Sequence, residues 1–193
     1  MSESPRARAF FALSIGDDAR LELARAIERL RAEAWGERVR WVRPENLHLT
    51  LRFLGDVETD RVAGLLASLR GALAGTGAFE CRATRVGGFP SASRTRVVAA
   101  AVEPEAPLVA LGERVERVVL DAGFDAEPRP FRAHVTLGRV RRPPLRGAAI
   151  DSPLAGAPLR VDRVVLYRSE LGRDGSRYTE LGDALLLAAS RAG

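Results

Sequence analysis

The chain has 193 residues, 46% of them hydrophobic, enough to bury one sizeable core, so one compact domain or two closely packed lobes is expected. Its formal net charge is +5, yet all 30 basic residues are Arg; the absence of Lys excludes a Walker A loop, a protein kinase, a nucleotidyl-lysine ligase and a Schiff-base enzyme. Cys81 is the single cysteine, which excludes an internal disulfide and a thiolate zinc site, and the first apolar run is too short for a signal segment or a membrane span, so a soluble cytoplasmic protein with no membrane association is expected.

Residues 8–14 (RAFFALS) read as a strand, followed by a helix that Asp17 or Asp18 caps and in which Leu23, Ile27 and Leu30 recur at helical spacing. An extended stretch at 40–42 and a turn at 44–46 lead into a strand at 47–53 (LHLTLRF). A second helix is expected at 59–74, with Val62, Leu65, Leu66, Leu69 and Leu73 on one face. Strands at 79–86 and 96–102 flank a Gly-Gly-Phe-Pro turn, and Cys81 reads as a small buried hydrophobe on the first of them. A third helix at 107–121 precedes a strand through residues 134–137. Residues 141–158, rich in Pro, Gly and Ala, read as a long surface loop, and strands follow at 161–167 and 178–187. Runs of strands punctuated by helices, with antiparallel pairing, indicate an α+β fold. Each half presents one helix followed by one histidine-bearing strand.

The two histidines stand in one tetrapeptide pattern, His48-Leu49-Thr50-Leu51 and His134-Val135-Thr136-Leu137. With Thr at 7 of 193 positions, chance places Thr two residues after both histidines roughly once in several hundred such sequences. On a strand, side chains alternate faces, so each motif turns an imidazole and a hydroxyl to one face and apolar residues to the other; Leu49, Leu51 and Phe53 are expected together on the core side. Two imidazoles of pKa near 6.5 can be poised in opposite protonation states, one taking a proton from water and the other giving one to a leaving oxygen. Threonine hydroxyls suit the non-bridging oxygens of a phosphodiester, where charge rises in the transition state. This chemistry needs no metal and no cofactor. A histidine metal site is disfavoured, since the two candidate ligands have no matched carboxylates.

Paired HxT motifs resemble the 2H phosphoesterase superfamily, and in particular the RNA 2',3'-cyclic phosphodiesterases, historically named 2'-5' RNA ligases. The similarity spans nearly the whole chain: Arg8-Ala9-Phe10-Phe11-Ala12, the run Trp41 to Leu47 entering the first motif, Gly87-Gly88-Phe89-Pro90, the run Phe131 to Arg139, and Leu171-Gly172 followed by Arg177-Tyr178. It implies a single domain over 1–193 with a bilobal α+β architecture. Two pseudo-two-fold-related halves of antiparallel sheet would carry helices outside and a cleft between the lobes. It implies hydrolysis of RNA or nucleotide 2',3'-cyclic phosphates to 2'-phosphomonoesters by a monomeric enzyme, with ATP-independent 2'-5' ligation as the reverse reaction. His48 would be the proton donor to the leaving oxygen and His134 the acceptor from water, with Thr50 and Thr136 on the phosphate. Arg139 would neutralise phosphate, and Phe10 or Phe11 would line the base-binding end, with core packing the role of whichever of the two faces inward. Two positions depart from the family pattern: Ala133 stands where Pro usually precedes the second histidine, and the strand after the Gly-Gly-Phe-Pro turn lacks a Trp. The same motifs also suit a relative acting on another cyclic phosphate or 2'-5' linkage, and a non-catalytic RNA-binding module is the alternative from another class.

Overall fold

A computed structural model describes residues 5–146, 150–172 and 175–188. Alternation of apolar and polar side chains sets the strands. In β1 (Arg6–Ser14) Ala9, Phe11 and Leu13 enter the main core, while Phe10 and Ala12 are buried on the opposite face. The chain continues through α1 (Asp17–Arg31), β2 (Val39–Trp41), β3 (His48–Glu58), α2 (Val62–Leu73), β4 (Phe79–Phe89), β5 (Val97–Glu103) and α3 (Glu105–Asp121). It ends with β6 (His134–Val140), β7 (Asp151–Pro153), β8 (Pro158–Val161), β9 (Arg163–Gly172) and β10 (Gly175–Leu185). The strands form two antiparallel sheets, one in the order β10-β9-β1-β3 and the other in the order β2-β6-β5-β4-β7, with β8 also paired to β4.

The architecture is α+β, and its halves repeat. The unit β1-α1-β3 in one sheet corresponds to β5-α3-β6 in the other, and the last strand of each unit begins with a histidine. A continuous core joins both sheets and the three helices, drawing Leu23 and Ile27 from α1, Leu69 and Leu73 from α2, and Leu108, Leu111 and Val115 from α3. Burying each such side chain stabilises the fold by roughly 1.5–3 kcal/mol, which is why the helical spacing of these residues locates the helices.

Several expectations need correction. Gly16, in extended conformation, is the N-cap of α1, and Asp17 and Asp18 lie in the first turn, where their carboxylates face the positive end of the helix dipole instead of capping it. Residues 59–61 form a 3-10 turn ahead of α2. Within 141–158, Leu145 and Ile150 are buried and β7 pairs with β4, because the open side of that strand offers unsatisfied backbone groups; residues 147–149 lie outside the described residues. The single strand expected at 161–167 is two, since the chain leaves one sheet as β8 and enters the other as β9 across Asp162. Cys81 is buried on β4, and burial pushes its thiol pKa up to about 11, so it stays protonated and behaves as a small core residue.

Candidate active site

Both motifs carry the same backbone irregularity. Between β1 and β3 the register steps from Phe11↔Arg52 to Ala12↔Thr50, skipping Leu51; between β5 and β6 it steps from Val98↔Gly138 to Ala99↔Thr136, skipping Leu137. The bulged residue is the fourth of each tetrapeptide. A bulge reverses the face on which all later side chains fall. Arg139, an odd number of residues after His134, therefore lies on the histidine face, exposed and near enough that its charge acts on His48. Phe53, at the matching position of β3, also lies on the histidine face, 50% exposed and 5.6 Å from Phe10, so its expected place on the core side is corrected. The residue between bulge and face change is Gly138 in β6. A Cβ there would meet Val39 Cγ1 at 2.4 Å, so glycine permits β2 to pack across the bulge. Its counterpart Arg52 points the other way, to the carboxylate of Glu116 on α3.

The two imidazoles are held alike. His48 Nδ1 donates to the Asn46 carbonyl at 2.7 Å and His134 Nδ1 donates to the Arg132 carbonyl at 2.7 Å. A carbonyl only accepts, so the proton sits on Nδ1 in each neutral ring and Nε2 is the atom left for chemistry. Thr50 pairs across the ladder with Ala12, and Thr136 with Ala99. Beside each hydroxyl the facing side chain is thus a methyl group.

Their surroundings differ. His48 sits in an aromatic nest, with Phe10 at 4.9 Å and the edge of Tyr178 at 5.1 Å; Tyr167 stacks on Phe10 at 5.4 Å. Burial holds the His48 pKa below the usual histidine value; the Asn46 hydrogen bond opposes this, and the charges of Arg139 and His134 add to it. His134 is half-exposed and stacks on Phe89 at 5.4 Å, whose ring also carries the Arg132 guanidinium at 5.0 Å.

Of the residues expected from sequence, His48, Thr50, His134, Thr136 and Arg139 come together on the facing sides of the two sheets. Phe11 does not: it is fully buried in the core on the opposite face of β1, because it is one residue out of phase with the histidine face. Phe10 reaches the site, but at 2% exposure it is sealed beneath His48 and supports the imidazole without offering a surface to a base. Sequence reasoning misses Phe53, Tyr178 and Phe89 as site residues; the signals that point to them are strand parity after a bulge and pairing across sheets. Asn46 holds the site through its backbone, and its side chain donates to the Ser176 carbonyl at 2.7 Å, tying the entry of β3 to the β9–β10 hairpin. The departure at Ala133 has a physical counterpart, since its N–H, which proline would lack, donates to the Glu105 carboxylate at 3.3 Å. Among the described residues no three His, Cys, Asp or Glu side chains converge as metal ligands, and no helix is long and apolar enough to cross a membrane.

Residues 13–99 and 101–178 match the model of a family described as LigT like Phosphoesterase. An RNA 2',3'-cyclic phosphodiesterase of Methanothermobacter thermautotrophicus is 31% identical over 181 residues, spanning 91% of this chain and 97% of the relative. The crystal structure of TT0787 of Thermus thermophilus superposes with a TM-score of 0.80 at 29% identity, covering 93% of this chain and 97% of that one. That of Escherichia coli LigT complexed with 3'-AMP gives a TM-score of 0.74 at 28% identity, covering 94% and 99%.

Proposed function

The chain belongs to the LigT-like phosphoesterase family, a group within the 2H phosphoesterases, and from that premise we propose that it hydrolyses RNA 2',3'-cyclic phosphate ends to 2'-phosphomonoesters without a metal. The observation that carries the reading is the matched presentation of two Nε2 atoms. Each imidazole is fixed by a carbonyl two residues upstream, each has a threonine on the same face, and Arg139 stands beside them. Similarity to a phosphodiesterase that acts on cyclic RNA ends, and to a protein seen with 3'-AMP, supports an RNA-derived substrate.

In this mechanism His134 takes the proton of the attacking water and His48 protonates the departing 3' oxygen, leaving the phosphate on the 2' oxygen. Thr50, Thr136 and Arg139 bind the non-bridging oxygens as negative charge grows there. The free protein holds His48 below its usual pKa, so at pH 7 it is mostly neutral and not ready to donate. An anionic phosphate beside Nε2 reverses part of that bias by pairing with the protonated ring. Protonation of His48 thus accompanies substrate binding. With the 5' hydroxyl of a second strand in place of water, the same steps are an ATP-independent 2'-5' ligation: His134 takes the hydroxyl proton, the 5' oxygen bonds to phosphorus, and the P–O3' bond breaks as His48 protonates the 3' oxygen. The protein acts as a single-domain cytoplasmic monomer.

Incubation of EDTA-treated protein with an oligoribonucleotide bearing a 2',3'-cyclic end, followed by identification of the product isomer, tests the reading. Undiminished turnover to the 2'-phosphate is expected. Loss of activity restored by zinc or manganese would overturn the two-histidine mechanism, and a 3'-phosphate product would exchange the acid and base.

A further inference from the structure

Beyond the histidine pair, one surface feature has no structural explanation. Strand β2 lies alongside β6 in antiparallel register, with Arg40 directly opposite Arg139. Facing residues of such a pair project to the same side, so two guanidinium groups stand next to each other on the histidine face. Like charges directly opposite one another destabilise a sheet. Among the described residues no carboxylate comes within ion-pair distance of either, although many of the chain's arginines are paired, among them Arg6, Arg20, Arg52, Arg85, Arg163 and Arg168. Arg40 is exposed, and its Nη2 lies 3.4 Å from where a Cβ on Gly175 would stand, so the side chain crosses from one sheet to the β9–β10 hairpin of the other. It thereby spans the mouth of the cleft one strand spacing, about 4.8 Å, farther out than Arg139.

We propose that Arg40, beside Arg139, forms a second phosphate subsite that receives the phosphodiester 5' to the cyclic end, so that the protein favours oligoribonucleotide ends over free cyclic mononucleotides. Arg139 is close enough to His48 to act on the scissile phosphate, which leaves Arg40 to meet the next anion along the strand. Guanidinium groups suit this task because their forked donors bind phosphate oxygens in two places, and a bound phosphate relieves the repulsion between the two. The inference rests on the proposed cyclic phosphodiesterase reading.

The test compares wild type with Arg40→Gln and Arg40→Lys on a cyclic mononucleotide, a dinucleotide with a cyclic end and a ten-residue oligoribonucleotide with a cyclic end. For wild type, kcat/KM should rise at the dinucleotide, the first substrate that owns the extra phosphate. Arg40→Gln should lower kcat/KM about tenfold for the dinucleotide and the ten-mer, leave the mononucleotide within about twofold, and flatten the salt dependence of ten-mer binding by close to one phosphate contact. Arg40→Lys should restore part of the loss. An equal loss on all three substrates would assign Arg40 to bridging the sheets alone, and no loss on any would remove the subsite; either overturns the inference. If wild type turns over none of them, the cyclic phosphodiesterase reading fails. Binding of a ten-mer ending in a 2'-phosphate, measured by fluorescence anisotropy for wild type and Arg40→Gln, then decides the subsite separately: weaker binding by the variant supports it and equal binding overturns it.

Discussion

The two half-sites share a backbone and differ in almost everything that surrounds it. His48 and His134 begin equivalent strands, donate through Nδ1 to the carbonyl two residues back, and precede a bulge at the fourth motif position. Yet the residue that the bulge turns toward the cleft is Phe53 in one half and Arg139 in the other. One imidazole is packed among Phe10 and Tyr178, while the other lies half-open on Phe89. Acid and base catalysis by one residue type needs such inequality: identical imidazoles would titrate together, and the state with one protonated and one neutral would have no preferred direction. Pseudo-symmetry supplies the geometry, and the packing that breaks it makes the two imidazoles unequal.

The strongest way to break the comparison is to remove each imidazole in turn. His48→Ala and His134→Ala should each lower kcat by about 10²- to 10⁴-fold, the usual range for a positioned acid or base. The double variant should be far less than multiplicatively worse, because the pair acts as a unit. A substrate with sulfur at the 3' leaving position needs no protonation of its leaving group and should rescue His48→Ala alone. Rescue of His134→Ala instead would invert the assignment. Steady-state kinetics of the four proteins on both substrates reads all of this.

A milder perturbation addresses the hydroxyls, which both halves share. Thr50→Ala and Thr136→Ala should each cost about ten- to a hundredfold in kcat with little change in KM, as expected for donors that act mainly on transition-state charge. Each threonine faces an alanine across the ladder, so neither loss should expose an unsatisfied partner, and thermal midpoints should stay close to wild type.

The smallest effect sharpens the comparison most. The His48 pKa is lowered first by burial, with Arg139 and His134 contributing. Arg139→Met removes one positive neighbour, so the His48 pKa should rise; burial remains, so the shift is only part of the total. Titration of the His48 imidazole followed by NMR in wild type and Arg139→Met reads this shift, and an unchanged midpoint would mean that the Arg139 charge does not act on His48.

Much of this site is legible in the sequence, because the information is periodic and local. The repeated HxT spacing, the two-residue alternation around it and the helical recurrence of Leu and Val depend only on backbone geometry that every residue obeys. The α+β class and the pairing of each histidine strand with a preceding helix follow from that same patterning. Strand parity fails where the backbone departs from it. Simple alternation puts Phe53 on the core side, and it cannot see past the bulges at Leu51 and Leu137, which leave no mark in composition. A bulge is set by what the neighbouring strand demands, and that strand lies far away in sequence. Phe11 and Phe10 are adjacent and chemically identical, so only the register of β1 against β3 tells which of them meets His48.

The sequence by itself determined which atoms are proposed to do the chemistry, since two imidazoles and two hydroxyls in a repeated motif on strands face a common surface whenever the strands pair. Only the tertiary structure decided how those atoms differ. The nest of Phe10, Tyr167 and Tyr178 that buries His48 draws on three strands of one sheet, and the arginines proposed to act at the cleft come from two strands of the other. Proton affinity and phosphate reach depend on burial and on charges a few ångströms away, and those are properties of the packed molecule.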